Sequence, residues 1–217
     1  MKKSVYSLVL MEKVVDEIDK VAYKQNTNRS NLINSILAEY VSFVTPQDVN
    51  NKILKRVNNK LSDNLNFIVQ NTENKNSYCV KSALNFKYNP IIKYSVELYD
   101  GVLDELGALK VSVRTQNEHL INCLNSFFAD FSDIENEYVD FGNNNIHRVE
   151  NGKFKRKFVT PMSEINEEKI GDAIALFIEN LDYSLKYYFD LLNNTDKARA
   201  SIDNNYEKYL NKQKVII

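Results

Sequence analysis

The residues best suited to chemistry are few and scattered along the chain. His119 and Cys123 lie four apart, a spacing that puts an imidazole and a thiol on one face of a helix; Cys79 and His147 would complete a four-ligand set for a metal. The spacing matches no zinc module and the pair flanks an apolar stripe. A hydrogen-bonded helix histidine and a half-buried thiol are therefore expected, with no metal and no cofactor. Glu167-Glu168 and Asp104-Glu105 are adjacent acids of the kind normally solvated at a helix start or turn. The five glycines, at 101, 107, 142, 152 and 171, build no phosphate-cradling loop, and no Ser or Cys sits in a nucleophile motif. The expectation is a protein that is not an enzyme.

Two other groupings are chemically suggestive. Lys153-Phe154-Lys155-Arg156-Lys157-Phe158 interleaves cations with aromatic rings, as an accessory nucleic-acid strand would. The reading preferred is a half-buried strand with Phe154, Arg156 and Phe158 on one side. Asn28-Arg29-Ser30 opens an amphipathic helix. Its free amides, the helix dipole and the Arg29 charge together would attract a phosphate.

The elements that must carry these groups can be read from periodicity. Ser4–Leu10 alternates, with Tyr6, Leu8 and Leu10 on one face and Val5, Ser7 and Val9 on the other, which is a strand period. Helical spacing follows in Val14, Val15, Ile18, Val21 and Ala22. A polar break at 25–28 ends that helix, and Asn28 caps a second whose stripe is Leu32, Ile33, Ile36, Leu37, Tyr40 and Val41. Thr45-Pro46 starts a third helix, expected to run on Val49, Ile53, Val57, Leu61, Leu65 and Ile68. The polar stretch 71–77 is taken as the main linker.

Beyond it, 78–115 reads as strands, with Ile92, Tyr94, Val96 and Leu98 alternating in one and Leu109, Val111 and Val113 in another, and breaks at Asn89-Pro90 and Asp100-Gly101. A helix is expected on Leu120, Leu124, Phe127, Phe128, Phe131 and Ile134. Asn151-Gly152 has the composition of a hairpin turn, and two more helices follow on Ile170–Leu192 and Ile202–Tyr209.

Composition narrows the function classes. Apolar runs fall far short of the ~20 residues of a membrane span, and the N-terminus lacks the features of a secretory signal, so a cytoplasmic protein without membrane contact is expected. Two cysteines make no disulfide framework. Ten Lys or Arg against six Asp or Glu in residues 1–60 make that end basic in a chain whose total charge is −1.

A lone short strand followed by two helices leaves its backbone groups unpaired and buries little surface. Pairing with its copy in a second chain would solve both problems. The run from Ser4 to Val41 resembles the ribbon-helix-helix repressors of the Arc/MetJ/CopG kind: alternating strand, Leu-x-Glu, first stripe, polar turn, then Asn28-Arg29-Ser30 before Leu32-Ile33. It covers about a fifth of the 217 residues, and the C-terminal part carries no such resemblance.

The resemblance implies a homodimer that lays a two-stranded ribbon into double-stranded DNA. By position, Val5, Ser7 and Val9, with Lys2 and Lys3 before them, form the DNA-facing set, joined by Asn28, Arg29 and Ser30 at the phosphate. Tyr6, Leu8, Leu10, Ile18, Ile33 and Leu37 form the dimer core. Val5 and Val9 cannot hydrogen-bond a base, so Ser7 is the versatile reader. Asn26 stands where the family often has glycine and can adopt the same left-handed conformation.

The whole is expected to be α+β: a ribbon-helix-helix domain at 1–44, a connecting amphipathic helix at 45–71, and a mixed strand and helix domain at 78–217 for oligomerisation or effector binding. The leading function is transcriptional repression, with higher oligomers possible on DNA. The alternatives are a plasmid partition or relaxosome accessory protein binding repeats near an origin, and an interaction protein whose ribbon only dimerises while the C-terminal domain binds another protein.

Overall fold

Alternation of apolar and polar residues over 91–98 places Ile92, Tyr94, Val96 and Leu98 on one face, and all four are buried. That strand lies within a six-stranded antiparallel sheet in a computed structural model that describes residues 4–70, 76–100, 105–142, 145–160, 166–213 and 215–217. The chain divides into two units, Met1–Val49 and Asn50–Ile217.

In the first unit, helix α1 (Glu12–Lys24) and helix α2 (Arg29–Tyr40) pack on each other through Ala22, Leu32 and Ala38. Both helices end in the same way. Asn26 (φ 54°) and Ser42 (φ 55°) take the left-handed conformation. Thr27 N–H then donates to Ala22 O and Asn26 N–H to Tyr23 O, while Phe43 N–H donates to Ala38 O and Ser42 N–H to Glu39 O. These paired bonds satisfy carbonyls that would otherwise be orphaned at the helix ends. Residues 4–10 are neither helix nor paired strand, and Val5 and Val9 are fully exposed.

Helix α3 (Pro46–Ser62) opens on Thr45, whose hydroxyl and amide both bond the Asp48 carboxylate. It ends six residues before Ile68, which corrects the sequence expectation of a helix through that residue. Asn64 accepts from Asn66 N–H and its own amide donates to Leu61 O, so the chain turns there. Leu65 is left in solvent, and Ile68–Gln70 becomes strand β1. The body of α3 is an integral part of the second unit. Ile53, Leu54, Val57 and Leu61 are buried, Arg56 forks onto Asp172 at 2.7 and 3.0 Å, and a Cβ placed on Gly171 would stand 2.6 Å from Arg56 Cβ. Only glycine allows that approach. The stretch 71–75, most of the expected linker, lies outside the described residues, as do Lys2, Lys3, Gly101 and Asp104.

The other strands are β2 (Ser77–Ala83), β3 (Ile91–Leu98), β4 (Glu105–Val113), β5 (His147–Glu150) and β6 (Lys153–Val159), in the sheet order β1-β2-β3-β4-β6-β5. Helix α4 (Glu118–Tyr138) leaves β4, and the chain returns as the edge strand β5 and then as β6 against β4. Asn151 (φ 50°) and Gly152 (φ 69°) form the two-residue turn that the Asn-Gly pair predicts. Helices α5 (Glu167–Asp190) and α6 (Thr195–Lys212) complete a helical layer with α4 on one sheet face. Phe128 stacks on Phe154 at 4.9 Å, Phe158 meets Phe177 at 6.4 Å, and the Tyr94 hydroxyl donates to Asp182 at 2.9 Å. Among the described residues no helix is long and apolar enough to cross a membrane.

Candidate functional site

The N-terminal candidate is built on the start of α2. Asn28 has extended backbone angles, and its side-chain oxygen accepts from Asn31 N–H at 2.9 Å, closing the helix end as a capping Asn should. This cap uses one of the three amides that an anion could meet. Those of Arg29 and Ser30 keep no protein partner among the described residues, and both residues are exposed.

Arg29 is engaged differently from the sequence expectation. Its Nε donates to Asp19 Oδ1 at 2.7 Å and its Nη2 to Asp19 Oδ2, a fork that ties α1 to the start of α2. The hydrogen bond to Arg29 holds the Asp19 carboxyl below its usual range. A phosphate at this helix end would therefore meet two amides and the one uncommitted guanidinium nitrogen. Asp19 is ten residues from Arg29, and nothing local in the sequence couples them.

The residues assigned to a dimer core are open within the single chain. Tyr6, Leu8, Leu10 and Leu37 are exposed, while Ile18 and Ile33 are half-buried. Beside them an apolar groove of about 330 Å³ runs between the two helices, walled by Val14, Ile18, Val21, Leu32 and Ile36 with Lys13 and Glu17 at its rim. Val5, Ser7 and Val9 are exposed as well.

The second unit holds a buried ionic cluster that the sequence reading missed. The β5–β6 hairpin sets His147 opposite Arg156, and α4 brings Glu135 beneath both. The Glu135 carboxylate accepts from Arg156 Nη2 at 2.8 Å, from the Tyr206 hydroxyl at 2.9 Å and pairs with His147 Nε2 at 2.7 Å. Phe141, Phe158 and Phe177 lie 4.6–5.6 Å from the guanidinium carbon, so ring faces take up charge that water would otherwise solvate. Burial alone would raise the Glu135 pKa, but the Arg156 charge and the bonds from His147 and Arg156 outweigh it and hold it at about 2. Burial pushes the Tyr206 hydroxyl far up.

A carboxylate so firmly ionised is a poor proton acceptor near neutrality, so the arrangement suits fixing a hairpin to a helix better than acid–base chemistry. The signal was present in the sequence. Glu135 is an acid seated in the stripe of Phe128, Phe131 and Ile134, and Arg156 stands at an inward position between Phe154 and Phe158.

The four residues with metal-ligand chemistry are divided among different partners. His147 is bound to Glu135, and the buried Cys79 approaches Gln70 and Ser95. His119 and Cys123 are 3.9 Å apart on α4, as their spacing predicts. A polar cleft of about 520 Å³ lies beside His147, lined by Asn136, Asp140, Phe141 and Asn145 among others. The chain matches no protein-family model, no curated protein and no solved structure.

Proposed function

We propose that the protein is a double-stranded DNA-binding homodimer of the ribbon-helix-helix kind, acting as a transcriptional repressor. The observation that carries the reading is the state of residues 4–10. They alternate as a strand should, pair with nothing among the described residues, and present Tyr6, Leu8 and Leu10 to solvent in a unit whose two helices also leave an apolar groove open. A second copy would supply the missing ladder and cover the exposed side chains, each worth ~1.5–3 kcal/mol when buried. The capped start of α2, with exposed amides at Arg29 and Ser30, suits a backbone phosphate.

Selection of bound sequences from random duplex DNA tests this reading, with Ser7→Ala as the control for base reading. Enrichment of a dyad-related motif that Ser7→Ala weakens is the expected result. A chain that stays monomeric at micromolar concentration and enriches nothing at moderate salt would refute it.

The interaction-only alternative has one specific observation in its favour. Arg29 spends two of its donors on Asp19, and Val5 and Val9 carry no hydrogen-bonding group, so the ribbon could serve dimerisation alone. A dimer that forms but shows no salt-dependent DNA binding would select it.

A further inference from the structure

We infer that the helix-free face of the sheet in the second unit is a docking surface for the phosphate backbone of duplex DNA. The strand register fixes which side chains share that face. Lys81 stands directly opposite Lys93, Lys110 opposite Lys155, and Lys155 in turn opposite Arg148. One row thus runs Ser95, Lys110, Lys155, Arg148 across four neighbouring strands, with Lys81, Lys93 and Ser112 forming the row beside it. Lys153 and Lys157 flank Lys155 on β6, while Phe154, Arg156 and Phe158 face the helices. The basic and aromatic residues of this segment are therefore sorted onto opposite faces.

Like charges directly opposite each other destabilise an antiparallel pair. This sheet accepts three such pairs in a chain of net charge −1, so the surplus is concentrated rather than a matter of composition. Some of it is balanced internally: Glu97 holds Lys110 at 2.7 Å, Glu150 holds Arg148 at 2.7 Å, and Glu105 holds Lys157. The ammonium groups of Lys81, Lys93, Lys153 and Lys155 make no hydrogen bond or ion pair with another side chain among the described residues.

A repeating polyanion is the complement of such a face, with cations ~4.8 Å apart between strands and ~6.8 Å apart along one. No strand residue on this face is aromatic, so unpaired bases would find nothing to stack on; its exposed apolar side chains are the aliphatic Ile68, opposite Lys81, and Ile91, opposite Ala83, without the aromatic residues that anchor a membrane-facing surface. A duplex read through its phosphates requires neither. The surface is separate from the ribbon and would add affinity without sequence preference.

The test uses the full chain carrying Lys81→Gln, Lys93→Gln and Lys155→Gln together, with binding to a random-sequence duplex followed by fluorescence anisotropy from 50 to 200 mM salt. The slope of log K against log salt should fall in magnitude by about 2 to 3, with affinity down about 10- to 100-fold, and the Lys→Arg triple variant should keep both. The thermal midpoint should not fall, because the exchange removes repulsion. An unchanged slope and affinity would overturn the inference, as would a triple variant that loses anionic phosphatidylserine vesicles but keeps the duplex. Ser7→Ala with Arg29→Ala separates the two surfaces: it should abolish motif selection and leave the lysine-dependent salt slope intact. If motif selection was never present and the lysine effect remains, the ribbon reading fails and this one stands.

Discussion

In the N-terminal unit the buried apolar residues are Ala22, Leu32 and Ala38, while Tyr6, Leu8, Ile36, Leu37, Tyr40 and Phe43 stand in solvent. In Asn50–Ile217, by contrast, Phe127, Phe128, Phe131, Phe154, Phe158 and Phe177 are all essentially inaccessible. Both stretches obey the same apolar periodicity. The difference is that the second unit's own sheet and helices cover its apolar residues, whereas the helix pair of the first unit leaves most of its apolar stripe uncovered. A helix pair that keeps this much apolar surface exposed is explained if its remaining layer comes from another molecule, whereas the second unit is saturated by its own sheet and helices.

The largest effect should come from the saturated unit. Glu135→Ala leaves Arg156 charged and unpaired in the core, at an expected cost of about 3–5 kcal/mol in urea or thermal unfolding. The pH dependence should agree. Because the folded-state pKa of Glu135, about 2, lies below its ordinary value near 4.5, its contribution is complete above that ordinary value and disappears as the pH falls toward 2. Midpoints measured between pH 6 and 2 should drop most steeply below pH 4.5 in the wild type, and less so in Glu135→Gln.

Next in size is Leu8→Glu. If the open unit is half of a dimer, each interface loses two buried leucines and gains two carboxylates. Self-association measured by sedimentation should then weaken at least ~100-fold, with unfolding of Asn50–Ile217 unaltered. No change in self-association would remove the contrast between an unfinished unit and a finished one.

Arg29→Ala sharpens the same contrast from the charge side. Loss of the exposed fork to Asp19 should lower the thermal midpoint only slightly, since both partners are solvated. DNA affinity should fall by about 1–2 kcal/mol if Arg29 also meets phosphate. An affinity that holds while stability falls would assign Arg29 to the helix corner alone. The smallest effect is a gain. Ser42→Gly at φ 55° relieves a left-handed non-glycine residue and should raise stability by about 0.5–1 kcal/mol, read as a higher midpoint for the N-terminal helices.

Much of the local structure was legible from residue types. The Asn28 cap, the Asn26 corner, the Thr45-Pro46 start, the alternation of β3 and β4, and the Asn151-Gly152 turn all depend on neighbours within a few positions. Near-neighbour chemistry decides such features. The helix end at Ser62 was harder to read, because Leu65 and Ile68 continue the helical period after the chain has turned at Asn64. Periodicity counts apolar residues but does not say which of them have something to pack against.

By itself, then, the sequence determined the apolar rhythm of each element, the turns between them, and the separation of a basic N-terminal end from a more acidic remainder. Only the tertiary structure decided which charges meet. Arg29 with Asp19, Glu135 with Arg156, His147 and Tyr206, and the cations facing one another across three strand pairs are brought together by the packing of helices and the pairing of strands, beyond the reach of near-neighbour spacing. Ionic interactions depend on distance and burial in space, and neither is encoded at any one position. The segment Lys153–Phe158 shows both levels at once. Its alternation could be read from six letters, but its roles could not, because the sheet alone decides that Arg156 enters the core while Lys155 joins an open basic face.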